Sequence, residues 1–434
     1  MFDVLPLPYE FGLNTAATAP FQIVGADPAT TLGTGVPDAN ISFNQQKIRN
    51  RYIQQNPKRA AVYNWSANVQ RDLGQGFAAT VAYVGSRSTH LSVAADDINL
   101  VPANNVPGVG IVFPATGGVR VDPNWGGGAG IRPVIFDGAS SYQALQAQLR
   151  KSMTHNVQGQ LSYTWSHCND LSSAPVTGDT FLNSIAVPLL TQKSYRVGPC
   201  DFDLRQVATG NLIWNIPVPT LQNAFANGLV NGWQLGGILT AETGAPFSVT
   251  VGGGNDPLGT GFNGDFSMDF ADVLPGCNPI GGKGVNYINT NCFTPPTAPA
   301  SLALASAANP YGCAPNSFLK YPGSAPKAPA GRQFCSNVVG NSGRNHFYGP
   351  RLTTLDMSIF KNTKIPAISD SMNVQFRAEF FNILNHTNFL SPGFLNTGGQ
   401  NNSVYDADGS ALPTALNQTS TSSRQIQLGV KLIF

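Results

Sequence analysis

The sequence predicts an all-β protein: an antiparallel transmembrane β-barrel segment of about nine long strands, with short periplasmic turns and long extracellular loops. Three observations carry this. The C-terminal run alternates, with Ile426, Leu428, Val430, Leu432 and Phe434 at even positions and Gln425, Gln427, Gly429 and Lys431 at odd ones. Strict period 2 gives a strand one apolar and one polar face. Only 11% of residues are charged, against about 25% in a typical soluble protein. Yet no apolar run of about 18 residues occurs, so no helix of the sequence spans a bilayer. Third, connections between alternating runs are short at one end and long at the other, as in outer-membrane barrels.

Each strand has its own warrant. In 62–71, Tyr63, Trp65, Ala67 and Val69 oppose Asn64, Ser66, Asn68 and Gln70. The turn Asp72–Gln75 leads to a return strand marked by Phe77, Ala79, Val81 and Tyr83. A second hairpin pairs 140–151 with 156–166, where Leu145, Ala147 and Leu149, then Leu161, Tyr163 and Trp165, line one face. Strands follow at 205–216 and 232–243, then at 353–361 and 372–382. The C-terminal run 424–434 is the ninth and spans roughly 36 Å at about 3.3 Å per residue, enough to cross the apolar band when tilted. The expected long external loops are 86–139, 167–204, 244–352 and 383–423. Residues 1–61 read as an extracellular loop region, because Pro, Gly, Asn, Thr and Ala dominate without a period. Pro246–Val251 reads as a short extension of the wall.

Tryptophans sort accordingly. Trp65 and Trp165 fall at the outer interface, Trp214 and Trp233 at the inner one, and Trp125 in a loop. Interfacial girdles predict this placement. Polar positions of the last strands, Gln375, Arg377, Glu379, Gln425, Gln427 and Lys431, are candidates to face the lumen, while Leu428, Val430 and Leu432 face lipid. Phe434 is the expected C-terminal signal for the barrel-assembly machinery.

Six cysteines, Cys168, Cys200, Cys277, Cys292, Cys313 and Cys335, lie outside the expected strands, and their even number suggests disulfides in an oxidising compartment. Cys168 and Cys200 flank one loop and are expected to bond. The other four allow three connectivities. Met1-Phe-Asp-Val-Leu-Pro-Leu-Pro lacks the basic and apolar regions of a signal peptide. The expectation is a C-terminal piece of a longer barrel, whose first and last strands stay unpaired with each other.

At this point the chain resembles a family. Gly343-Arg-Asn-His-Phe-Tyr-Gly-Pro350, followed by Asp356 and Phe360-Lys361, is similar to a hairpin signature of Oar-like TonB-dependent receptors. So are Arg377-Ala-Glu-Phe-Phe-Asn-Ile-Leu-Asn-His-Thr-Asn-Phe389, Asp201-Phe-Asp-Leu-Arg205 and Asn231-Gly-Trp-Gln234. The resemblance covers about residue 56 to the end and implies a 22-stranded barrel closed by an N-terminal plug. It implies TonB as a partner wherever the full-length protein carries the plug, and passage of an unknown large solute such as an oligosaccharide or peptide. The alternatives are a surface adhesin or binding scaffold, and a soluble secreted β-protein.

No enzyme is expected, since GxxxxGK[ST], HExxH and GxSxG are absent. His90, His155, His167, His346 and His386 are scattered and read as loop or strand-end residues. Asn255-Asp-Pro, Gly264-Asp265 and Asp406-Ala-Asp-Gly409 lack the EF-hand spacing and read as turns, so no metal or cofactor is expected. The net charge of +2 gives no basis for nucleic-acid binding.

Overall fold

Strands that alternate can bury every backbone hydrogen bond in ladders while keeping two chemically distinct faces, and the computed structural model is built this way. The residues it describes are 4–6, 13–14, 22–23, 50–94, 98–115, 121, 131–173, 197–219, 221–252, 270–282, 286–314, 328–365, 372–392, 403–406, 411–412, 414, 416 and 418–434. Among them the wall comprises β1 (Ala61–Gly74), β2 (Phe77–Ala94), β3 (Ile131–Thr154), β4 (Val157–Asp170) and β5 (Gln206–Asn215). It continues through β6 (Trp233–Glu242), β7 (Leu352–Lys364), β8 (Asn373–Phe381) and β9 (Gln425–Ile433). Each strand pairs antiparallel with the next in the chain. β1 pairs only with β2 and β9 only with β8, so the described sheet is open.

The turns at one end are tight. Gln75 and Gly76 have φ of 52° and 79°, and His155 and Asn156 have φ of 52° and 64°. Two consecutive left-handed residues fit the right-handed twist of the strands they join. The same end carries 216–232, which contains the short helix α1 (Ala224–Val230) that alternation did not anticipate.

Register makes the faces continuous. Directly paired residues share a face, so Gln70, Thr80, Gln148, Ser162, Thr209, Thr240 and Thr354 form one polar row across seven strands. On the other face, Val157, Trp214, Leu235, Ile359, Ala378 and Leu428 form one apolar row. Slipping one strand by one residue would exchange its faces. Most of the large exposed side chains follow the apolar face: Val69, Leu161, Leu428 and Val430 are 73%, 50%, 66% and 68% exposed, whereas Ile238, between Asn211 and Asp356, is an exposed apolar residue on the polar face. A soluble sandwich would bury such a face.

Several sequence boundaries change. β2 runs on to Ala94, β3 begins at Ile131 and is 24 residues long, and β4 ends at Asp170. The long connections are therefore 95–130, 171–205, 243–351 and 382–424. Above the apolar band, alternation lapses while backbone pairing continues, so a period-2 reading stops too early. Cys168 lies within β4, not outside the strands, and Trp165 marks the band edge and not the strand end. Within the expected loop region 1–61, Asn50–Gln54 pairs in parallel with the outer end of β3, and Val4–Pro6 pairs with Asn50–Gln54. This pairing lies beyond the reach of β4 and adds no tenth wall strand. Pro246–Phe247 pairs with Phe347–Tyr348, and Thr250–Gly252 with Ser403–Asp406, so 246–251 leaves the wall. Trp125, Asn255–Pro257, Gly264–Asp265 and 407–409 lie outside the described residues.

The hydrophobic core sits in the long connections. Phe247, Val249, Val251, Ala271, Cys292, Phe293 and Val404 form one cluster. Val112, Ala298, Cys313, Cys335 and Val338 form another. Short ladders such as Asp272–Val273 with Phe293–Thr294 and Thr297–Pro299 with Arg332–Phe334 organise this region as a folded cap.

The face assignment has a direct test. Leu161→Arg, midway along the apolar band of β4 between Val157 and Trp165, should cost about 2–4 kcal/mol of folding stability in lipid vesicles. Its neighbour Ser162→Arg, on the polar face, should cost little. Equal losses in the two unfolding titrations would overturn the register.

Candidate functional site

The polar face of β7–β9 holds the residues singled out from the sequence. Gln427 stands opposite Glu379, Lys431 opposite Gln375, and Gln425 opposite Phe381. Arg377 stands between Phe360 and Gly429. Its guanidinium lies 5.3 Å from the centre of the Phe360 ring, and its Nε donates to Gln375 Oε1 at 2.7 Å. Gln375 Nε2 in turn donates to Asn362 Oδ1 at 2.9 Å. Elsewhere on this face Gln234 Nε2 donates to Asn215 Oδ1 at 2.8 Å. The result is a surface of amides and hydroxyls with a few charges, suited to exchanging hydrogen bonds with a polar solute or a packed polypeptide. Ile433 breaks the alternation and joins this face opposite Asn373. Phe434, the expected assembly signal, is 91% exposed just after β9.

The cap is fastened to this same face. Above Trp165, the positions of β4 that continue the polar face are Ser166, Cys168 and Asp170, and all three are buried. Cys168 bonds Cys200, Ser166 Oγ donates to the Leu204 carbonyl at 3.0 Å, and Asp170 Oδ1 accepts from Arg344 Nη2. Arg344 is only 1% exposed at its side chain, and Nη2 also donates to the carbonyls of Asp170 at 2.8 Å and Gly198 at 3.1 Å. Its Nη1 lies 3.8 Å from Asp201 Oδ1. Asn345 Nδ2 donates to Asp201 Oδ1 at 2.6 Å and to the Pro199 carbonyl at 2.9 Å.

A second carboxylate completes the latch. Asp203 Oδ1 accepts from Cys168 N at 2.7 Å, while Oδ2 accepts from Tyr348 Oη at 2.8 Å and lies 2.8 Å from Arg205 Nε. His167 Nδ1 is 3.3 Å from the same oxygen. Burial pushes the Tyr348 phenol well above its ordinary range, and the neighbouring Asp203 adds to the rise while Arg205 opposes it. Cys277–Cys292 and Cys313–Cys335 staple the cap itself.

The outer ends of β7, β8 and β9 are tied by asparagines. Asn382 N donates to Asp356 Oδ1 at 2.7 Å, and its side chain bonds the His386 and Ser422 carbonyls. Asn388 bridges Thr353 and Thr421. Asn382 and Asn385 have φ of 48° and 51°, a left-handed backbone that Asn tolerates well.

Sequence reasoning named Asp201–Arg205 and Gly343–Pro350 only as landmarks; the structure brings them into contact. It assigned Asp170, His167 and Tyr348 no role. The available signal was the scarcity of charge: an arginine or aspartate in a Gly- and Pro-rich connection of a charge-poor chain needs a partner if buried.

Comparison with a family model agrees with this architecture. The family described as outer membrane beta barrel domain matches residues 3–427. No curated protein matches. Among solved structures, the chain is similar to the outer membrane transporter YddB from Escherichia coli at 9% identity and a TM-score of 0.37, over 89% of this chain and 34% of that one. It is also similar to the FrpB iron transporter from Neisseria meningitidis (F3-3 variant) at 12% identity and a TM-score of 0.34, over 88% of this chain and 32% of that one. The chain thus spans about a third of the length of these structures.

Two outcomes are expected at the latch. Arg344→Met leaves Asp170 and Asp201 buried without their cation and should cost the cap about 3–5 kcal/mol. Hydrogen exchange would show lost protection at 198–203 and 343–348, with the wall strands unchanged. The raised Tyr348 pKa means the neutral phenol is favoured in the folded cap. That stability is fully present below the unfolded value of about 10 and is lost as pH rises through the higher folded value. Cap unfolding should therefore steepen above about pH 10 in the wild type and less so in Tyr348→Phe, where burial still raises Tyr287 and Tyr405.

Proposed function

The chain belongs to the outer membrane beta barrel domain family and lies in the bacterial outer membrane, and from this membership we propose that it is an arc of a TonB-dependent, Oar-like receptor wall that moves a large solute inward. The supporting observation is the polar face, which runs in one row from β1 to β7 and carries the cap at its outer end. A wall whose second face is exposed and apolar meets lipid with it, so the polar face lines the lumen. Gln375, Arg377, Glu379, Gln425, Gln427 and Lys431 then face a plug domain or a passing solute. The open edges at β1 and β9 require further strands to complete the barrel, because lipid cannot satisfy free backbone groups. Discrimination belongs to the cap, and passage to a plug moved by TonB. The work is binding and passage, with no covalent step, and an oligosaccharide or peptide suits a surface of amides and hydroxyls.

The folded cap also favours a second reading, a surface scaffold that binds without transport. Its core and three disulfides make it a stable platform. One experiment separates them. Cells carrying the intact protein are offered fluorescent oligosaccharides and peptides, and Gln375→Cys is probed with a charged, membrane-impermeant thiol reagent. Transport predicts accumulation, lost with Arg377→Ala or on collapse of the proton gradient, and protection of Gln375→Cys when solute is present. Surface binding without accumulation, unchanged by either treatment, would favour the scaffold.

A further inference from the structure

The short-turn end carries an arrangement on the lipid-facing side that transport does not require. Trp233 and Lys361 are directly paired there, in one row with Phe376 and Val430. A lysine on the lipid-facing side is costly near the bilayer centre and cheap near the interface. Lys361 is nevertheless 8% exposed. Its Nζ donates to the carbonyls of Gly228 at 2.6 Å and Asn231, and to Thr363 Oγ1 at 3.2 Å. Gly228 and Asn231 lie at the C-terminal end of α1, where carbonyls lack helical partners and the dipole is negative. Trp233 Nε1 donates to the Leu229 carbonyl at 3.0 Å. Two outward-facing wall side chains thus hold α1 against the outside of the sheet, away from its polar face.

The connection is specified locally. Asn223 Oδ1 accepts from Ala226 N at 3.1 Å, and Asn227 Oδ1 accepts from Leu221 N at 2.9 Å. Gly232 returns the chain with φ +81°, at a point where a Cβ would sit 2.2 Å from the Asn362 carbonyl oxygen. Residues 217–232 contain no charged side chain. Leu229 and Leu221 are 57% and 40% exposed, and Trp214 on the lipid-facing side of β5 is 37% exposed. A second pair sits at the same end of the wall: Lys151 Nζ lies 4.2 Å from the Phe77 ring centre, also on the lipid-facing side, and is hydrogen-bonded to Thr154 Oγ1 at 2.9 Å. Lysines whose stems cover apolar surface beside aromatic rings are a signature of the membrane interface.

We propose that α1, held by Lys361 and Trp233, is an in-plane anchor that seats Leu221 and Leu229 among the phospholipids of the periplasmic leaflet. Leu229 on α1 and Leu221 just before it continue the lipid-facing band of the wall, and that continuity selects phospholipid as the occupant. The anchor fixes the depth of β5–β7 in the bilayer, leaving the polar face free to accept a moving partner.

The test uses the full-length protein in phospholipid vesicles, with single cysteines at Leu229, Leu161 or Lys364 carrying an environment-sensitive fluorophore. Lipid-attached nitroxides should quench the labels at Leu229→Cys and Leu161→Cys. The Leu229 label should respond more to a nitroxide near the headgroup than to one at the acyl-chain end. The label at Lys364→Cys, on the polar face, should respond only to a water-soluble quencher. Adding Lys361→Met should abolish lipid quenching at position 229 and leave it intact at position 161, which shows that the wall is still folded. Quenching of the Leu229 label from water alone would overturn the proposal. So would protection from both quenchers, the result expected if Leu229 is buried within the protein itself.

Discussion

Everything in this molecule depends on the antiparallel ladder and the requirement that each backbone amide in the bilayer find its partner within the sheet. Once pairing is compulsory, side chains have two directions only, and the sequence needs merely to alternate. The rows show how completely this governs the wall. Gln70 to Thr354 is polar at every step across seven strands, and Val157 to Leu428 is apolar at every step across six. The wall has no interior of its own. Its apolar face is satisfied by lipid, and so it keeps large exposed hydrophobics that a soluble domain would bury.

The cap obeys the opposite rule. It stands in water, so it must build a core, and it does so from Phe247, Phe293, Val404 and their neighbours. Connections rich in Pro and Gly give small clusters, which disulfides reinforce by restricting the unfolded chain. β4 joins the two regimes within one strand. Up to Trp165 its odd positions meet lipid and its even positions form the polar face. Beyond it, Ser166, Cys168 and Asp170 turn the same even face into a buried seat for the cap.

What was legible in the sequence follows from this division. The nine wall strands were visible because lipid and lumen impose period 2 on side chains. Their outer ends were not, since over 86–94 and 131–139 the backbone ladder continues while the alternation of residue type lapses. The cap was invisible for a related reason. Its ladders are two or three residues long, shorter than any period can register. Helix α1 was missed because its seven residues complete fewer than two turns of pattern. The charged latch was half legible. Asp201–Arg205 and Gly343–Pro350 stood out as strings, but only folding shows that Arg344 meets Asp170 and that Asp203 collects Cys168 N, Arg205 and Tyr348.

The latch also explains why so few charges are spent where they are. A guanidinium taken out of water gains little net stability even when paired, yet removal of one partner is severe. Such a group specifies geometry more than it adds stability. Arg344 can be satisfied only when the end of β4, the segment 198–201 and the segment 343–345 meet in one arrangement, with Asp170, Gly198 and Asp201 all in reach. The Cys168–Cys200 bond already holds two of those three segments together, so the arginine decides the position of the third. That third segment leads through Phe347–Tyr348, paired with Pro246–Phe247, straight into β7. Two exits from the wall and one re-entry into it are thereby held in a single register. The cap is positioned over the polar face by the same strands that create it.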